Sequence, residues 1–393
     1  MTCAWDNAKN LLCIRLDAIG DVLMTTPAIR ALKTARPDRH ITLLTSPAGV
    51  GIAALVPEID DVLVYDAPWM KATAPRQNSQ PELAMVDRLK QGEFDGAVIF
   101  TVYSQNPLPA ALLCYLADIP LRLAHCHENP YQLLTDWVLD PEPGRGIRHE
   151  VQRQLDLVGT VGCRAGDERL SLQVRDADRE FVSNLLAGLG IDHSRPWTVI
   201  HPGSTAPSRC YNPASFAEVA RRLTVDRNCQ VLFTGVEAER ALIEGIQKQM
   251  GVSSRSLINT LNLGQMAALL AIAPLLISNN TGPVHMAAAL GTPVVDLYAL
   301  TNPQHTPWMV RQRVLYQDVP CKFCYKSLCP EGHHDCLERV TPDQVVRAAW
   351  ELLQAGRGWQ PEARSPLFYT FTFPAASPAL ATVATQSAQD IWR

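Results

Sequence analysis

The sequence predicts an α/β protein made of two Rossmann-like domains that face each other across a central cleft. Three observations carry that expectation. Apolar runs of strand length alternate with helix-length patterns through both halves, as in a parallel sheet covered on both faces. The first apolar run ends in a glycine-bearing loop, Asp17-Ala-Ile-Gly-Asp21, that opens a helix. At 393 residues the chain also exceeds what one ordinary hydrophobic core accommodates.

Taken in order, residues 11–16 form a buried-strand pattern, followed by a helical pattern over 22–36. Strands are expected at 40–45 and 61–65, with a helix over 47–55 between them. Residues 66–81, rich in Pro, Ala, Gln and Asn without periodicity, read as a loop. Helix 82–91, strand 97–100, helix 110–117 and strand 121–124 continue the alternation until the Pro and Gly of 141–146 break it. A helix over 150–161 closes an N-terminal domain, 1–170, and 171–195 links it to a second domain, 196–355. That second half repeats the architecture without repeating the sequence: strand 198–201, helix 213–223, strand 230–234, and helices 238–250 and 263–272. Strand 273–277, a polar turn, an Ala-rich helix over 284–290 and strand 293–298 follow. A loop over 301–308, a strand near 314–316, a cysteine-rich segment and a last helix over 342–353, N-capped by Thr341 with Pro342 at its first position, complete the domain. Residues 356–393, rich in Pro, Ala, Ser and Thr, are expected to be a disordered tail.

Composition narrows the function classes. Hydrophobic residues make up 47%, charged residues 19%, and the net charge is -4, so the basic excess of a nucleic-acid binder is missing. The N-terminus lacks the charged-then-apolar plan of a signal peptide. The longest apolar run, 266–277, is too short to span a bilayer and contains Pro274. Eleven cysteines without a secretory signal are read as reduced thiols, and a cytoplasmic location is expected.

The chemistry collects at the loops after strands. Ser278 to Pro293 reads as strand, tight polar turn and helix opening, with Thr281, Gly282 and His285 at the turn. Unpaired N–H groups and the dipole of such a helix start suit a phosphate; the plainer alternative is a tight connection with no ligand. His201-Pro-Gly-Ser204 and Thr205 follow another strand, and Arg209 leads into the next helix as a bidentate donor for phosphate oxygens. Glu237, after strand 230–234, is placed to reach a ribose or base. With Asn280, these residues describe a site for a nucleoside diphosphate whose departure the site would stabilise. On the other half Asp21 follows the first strand, either as a first-turn carboxylate stabilised by the helix dipole or as a general base for an acceptor hydroxyl. Lys71, Arg76 and Arg122 are the cations that would meet an anionic acceptor, although a solvated loop explains the same charges; Gln105, Asn106 and Trp69 are further candidates for sugar contacts.

Arg15 to Pro27, His201 to Ser204, Arg209 to Pro213 and Ser278 to Pro293 resemble, in order, the motifs of glycosyltransferase family 9, which includes the ADP-heptose:lipopolysaccharide heptosyltransferases. The resemblance covers about residues 10–353. It implies a GT-B fold, an inverting mechanism, a nucleotide-diphosphate sugar donor held by the C-terminal domain, and no cofactor or required metal. The family's proposed base falls on Asp21, and its phosphate-contacting turn on Thr281, Gly282, Pro283 and His285. It further implies a lipopolysaccharide or other glycolipid acceptor met at the inner face of the inner membrane. Two positions depart from the family's pattern: Arg209 and Tyr211 stand where Lys and Trp are usual, and Asn280 stands where Asp commonly precedes Thr-Gly-Pro.

Cys321, Cys324, Cys329 and Cys336, with His333 and His334 nearby, are dense enough to raise a zinc knuckle. The competing reading, favoured by the family pattern, is a set of thiols packing a loop behind the donor site. Two other functions are carried beside glycosyl transfer. A nucleotide-sugar epimerase on the same fold would need a second acid or base at the sugar, and a nucleotide-sugar-binding protein without turnover would fit the departures at Asn280 and Arg209.

Overall fold

The structure is a computed structural model that describes residues 4–71 and 73–356. The expected tail therefore lies, apart from Gly356, outside the described residues. Two sheets of six parallel strands form two Rossmann-like halves. In the first, β1 (Asn10–Arg15), β2 (His40–Thr45), β3 (Asp61–Val64), β4 (Gly96–Ile99), β5 (Leu121–Cys126) and β6 (Asp136–Leu139) run in the order β3-β2-β1-β4-β5-β6. In the second, β7 (Trp197–His201), β8 (Gln230–Gly235), β9 (Arg255–Ile258), β10 (Leu276–Asn279), β11 (Val294–Leu297) and β12 (Gln312–Leu315) run β12-β11-β10-β7-β8-β9. Counted from each half's first strand the order is the same, so the fold is duplicated while the sequence is not. This is the GT-B arrangement.

Central strands read as continuous apolar runs because both of their faces are covered; β4 and β11 are buried at every position. The edge strands β6 and β9 escape a reading by apolar runs, because they are short and only partly buried (Asp-Trp-Val-Leu and Arg-Ser-Leu-Ile). The expected helix over 47–55 shrinks to Val50–Ala53, and the helix expected from 82 begins at Gln80 with Pro81 in its first turn. Helix Ile19–Ala35 carries Pro27 in its interior, and the Thr26 hydroxyl donates at 2.7 Å to the Leu23 carbonyl that Pro27 leaves without an N–H.

Three apolar clusters fill the molecule. One lies on the outer side of each sheet, and the third runs unbroken from Leu11 and Val22 in the first half to Val199, Val284 and Met286 in the second. Helix Gly282–Ala289 packs directly on helix Ile19–Ala35, so the two sheets are joined where their first-strand and fourth-strand loops meet. Gln173 pairs with Leu55 of the first half, and helix Asp176–Gly188 then packs on Leu263–Ile272 of the second.

Candidate functional site

In an open parallel sheet the crevice opens at the carboxyl ends of the strands, where the strand order reverses. Here those points lie between β1 and β4 and between β7 and β10. At the first, Arg15 ends β1 with a side chain wholly removed from solvent and gathers three carboxylates: Asp17 at 2.9 Å, Asp21 at 3.1 Å and Glu150 at 2.7 Å. Asp21 sits in the first turn of helix Ile19–Ala35, where its Oδ2 also accepts from the Ala18 N–H at 3.2 Å. The anticipated first-turn placement is therefore present, and the side chain still keeps 20% of its surface exposed. Burial pushes its pKa up, but the buried Arg15 guanidinium, helped by the Ala18 N–H, outweighs that and holds it below the usual carboxylate range. Asp17 moves the opposite way, raised by burial and by the neighbouring charges of Asp21 and Glu150 against the pull of Arg15, and its Oδ1 accepts from Gln105 at 2.6 Å.

At the second point, Thr281 caps helix Gly282–Ala289 and Pro283 lies in its first turn. Asn279 knits the surrounding loops together: its Oδ1 accepts from the Tyr211 N–H at 2.9 Å and its Nδ2 donates to the Pro202 carbonyl at 2.7 Å. Tyr211 is buried and donates to the Val340 carbonyl at 2.7 Å, an anchoring role that needs a large ring with a polar tip. Arg209 is half-buried and its guanidinium has no hydrogen bond or ion pair among the described residues, yet its charge reaches His285, His305 and Tyr298. Burial drives His285 down to about 3, so it stands neutral beside that unpaired guanidinium. An unpaired cation, a helix N-terminus and neutral imidazoles together make a receptive place for an anion.

The two points touch. A Cβ built on Gly20 would lie 2.6 Å from His285 Cδ2, and one on Gly282 would lie 3.4 Å from Ile19 Cγ2. His305, on the loop after β11, brings its Nε2 to 3.9 Å from Asp21 Oδ1. Asp21, His285, His305 and Arg209 thus stand around one small region between the domains.

The other expected residues are dispersed. Ser204 bonds within its own loop to Ala206, and Thr205 is exposed beside it. Glu237 is exposed and pairs with Arg240 at 2.7 Å, whereas Glu239 turns inward: its carboxylate fills the space above Gly203 and Gly235, and its Oε2 accepts from the Val236 N–H at 2.9 Å. Glu239 is the acid that borders the ends of β7 and β8. Lys71 reaches across to Ser327 Oγ at 3.2 Å, and Arg76 is engaged by Glu82 at 3.2 Å and by the Asp66 carbonyl. Arg122 lies elsewhere: it is the second residue of β5, near the end of the sheet opposite Asp21, and its guanidinium donates to the carbonyls of Leu133, Gln132 and Ile119 while stacking 5.5 Å from the Tyr115 ring. The acceptor contact expected of it gives way to a clamp on its own domain. Asn280 does not face the cleft; it donates to Asp296 Oδ2 and to the His305 carbonyl, both at 2.9 Å.

Cys321, Cys324, Cys329 and Cys336 line one small cavity together with His333 and His334, and Cys321 Sγ is 3.8 Å from His333 Nε2. Among the described residues no three His, Cys, Asp or Glu side chains are gathered closely enough to hold a metal ion.

Comparison with known proteins places this arrangement. The model of glycosyltransferase family 9 (heptosyltransferase) matches residues 83–334. Lipopolysaccharide heptosyltransferase 2 of Escherichia coli K12 is 25% identical over 363 residues, covering 87% of this chain and 98% of the relative. A family 9 glycosyl transferase from Veillonella parvula superposes with a TM-score of 0.71 at 21% identity, over 88% of this chain and 97% of the other. The E. coli ADP-heptose lps heptosyltransferase II superposes with a TM-score of 0.68 at 23% identity, over 88% and 99%.

Proposed function

We propose that this chain, which belongs to glycosyltransferase family 9, moves a heptose from ADP-heptose to a lipopolysaccharide core-type acceptor, with inversion at the anomeric carbon. Family membership makes it a glycosyltransferase. The sugar and acceptor follow from the names of its relatives. One observation carries the mechanism: Asp21, ionised and partly exposed, stands against the helix start and unpaired Arg209 that suit a diphosphate.

The donor's diphosphate would lie on the N–H groups at Gly282, near Arg209, with the loop of Ser204 and Thr205 closing on it and Glu239 or Glu237 toward the ribose. The acceptor hydroxyl enters from the side of Asp21. As its oxygen forms a bond to the anomeric carbon, the bond from that carbon to the phosphate oxygen breaks on the opposite face, the diphosphate leaves with the electron pair, and the proton passes to Asp21. Arg209 and the helix dipole neutralise charge as it develops on the leaving group. Asp21, held at low pKa, is a weak base; it takes the proton only as bond formation acidifies the hydroxyl. Among the described residues no helix is long and apolar enough to cross a membrane. A lipid-linked acceptor would then be met from the surface of the inner membrane on its cytoplasmic side, with Lys71 and Arg76 on that approach.

The deciding experiment is Asp21→Asn assayed with ADP-heptose and a heptose-accepting core lipid. Transfer should fall by about 100-fold or more, while thermal stabilisation by ADP persists and exceeds that by UDP or GDP. Undiminished transfer removes Asp21 as the base, and a preference for UDP or GDP removes the heptose assignment.

A further inference from the structure

His305 is the residue of this site that nothing in the chain's pattern marks. Its backbone and one of its ring nitrogens are tied to neighbours. The backbone N–H donates to the Tyr298 hydroxyl at 3.3 Å, and the carbonyl accepts from Asn280 Nδ2 at 2.9 Å. The ring Nδ1 lies 3.4 Å from Asn302 Nδ2. The orientation of the Asn302 amide is fixed from its other end, because its Oδ1 faces the Gln304 N–H at 3.1 Å and the Tyr298 hydroxyl at 3.2 Å. Nδ2, a donor, is therefore what His305 Nδ1 meets, so Nδ1 is the acceptor nitrogen and the ring proton belongs on Nε2. That Nε2 is shielded from solvent, has no hydrogen-bond partner among the described residues, and lies 3.9 Å from Asp21 Oδ1. The gap is about 1 Å longer than a formed N–H···O bond, so a small approach of the two domains completes it.

We propose that His305 is a positioning residue for Asp21: the C-terminal domain presents its Nε2–H to the carboxylate of the N-terminal domain and fixes which oxygen faces the acceptor hydroxyl. The inference rests on the proposed role of Asp21 as base. It also gives Asn280 a purpose. A carboxylate at that position could not donate to the His305 carbonyl; the carboxamide can, while its other contact ties the loop to Asp296 on β11. The orientation of the base thereby depends on the domain that binds the donor. Arg15 grips Asp21 from its own side whatever the donor domain does, and His305 engages it only when the two domains are together.

Two measurements on the full chain test this. Side-chain 15N NMR with labelled histidine, assigning His305 by its loss in His305→Gln, should show the Nε2–H tautomer and a shift that moves in Asp21→Asn. An Nδ1–H tautomer, or a signal indifferent to Asp21→Asn, overturns the proposal whether or not the chain transfers heptose. In the transfer assay His305→Ala should lower kcat by about 10- to 100-fold, with the donor KM changed by less than about 3-fold. His305→Gln, which keeps an uncharged N–H at the same reach, should recover most of that loss. Equal kcat in His305→Ala and the wild type, or a Gln variant as slow as the Ala variant while both melt like the wild type, overturns it. A wild-type chain that moves no heptose instead removes the proposed function and leaves the NMR result to decide about His305.

Discussion

Asp296 is buried on β11, next to the edge strand of the second sheet, with no ion pair among the described residues. Its Oδ2 accepts from Asn280, its Oδ1 is buried without a partner among the described residues, and burial raises its pKa well above the ordinary 3.8. An acid whose folded pKa is raised contributes stability that is complete below its unfolded pKa and is lost as pH rises toward the folded value, at about 1.4 kcal/mol per pKa unit. Asp296→Asn keeps the acceptor for Asn280 and removes the titration. The melting temperature of the variant relative to the wild type should therefore grow between about pH 5 and about pH 8, as thermal unfolding followed by circular dichroism will show. A difference that stays flat over that range would mean that Asp296 is already ionised in the fold.

At the scale of elements, two helix starts meet head to head, and glycine makes the meeting possible. Gly20 needs its missing Cβ because the atom would press on the buried ring of His285 at 2.6 Å; at Gly282 the corresponding contact, 3.4 Å to Ile19, is ordinary. Gly20→Ala is expected to cost about 1–3 kcal/mol by overpacking and at least ~10-fold in transfer by displacing the two helix starts. Gly282→Ala should melt close to the wild type; equal stability of the two variants in urea titration would contradict this. Both helix starts were legible in the sequence, since each follows an apolar run and carries glycine among polar residues. What gathers around them was not. Arg15 and Glu150 are separated by 135 positions and join only because helix Glu150–Gly159 folds back on the first one. His305 lies in a loop without periodicity. The misplacement of Arg122 has a related cause: charge pattern shows that a cation is near a strand, but not at which end of it. Glu239 rather than Glu237 faces the loops because the single 3-10 turn Glu237–Glu239 rotates one acid outward and the other in.

For the whole molecule, buried imidazoles dominate the response to acid. Burial depresses His149 and His285 to about 3 and His125 to about 4, and lowers His201 and His305 as well. A base with a depressed folded pKa contributes stability that is present above its unfolded value of 6.5 and lost as pH falls toward the folded one. Asp17 and Asp296 act in the opposite sense over the same window but are outnumbered. The melting temperature should fall steadily from about pH 6.5 to about pH 4.5, and more steeply in Asp296→Asn; a flat profile in differential scanning calorimetry would show that these rings are solvated. The apolar cluster that runs through both halves sets a further limit. Swinging the domains apart on a hinge would bring Val284, Met286 and their neighbours on helix Ile19–Ala35 into water, at about 25 cal/mol for each Å² uncovered. Sliding one helix along the other keeps that surface covered. Admission of substrate and release of product are thus best served by shear, with displacements on the scale of a side chain.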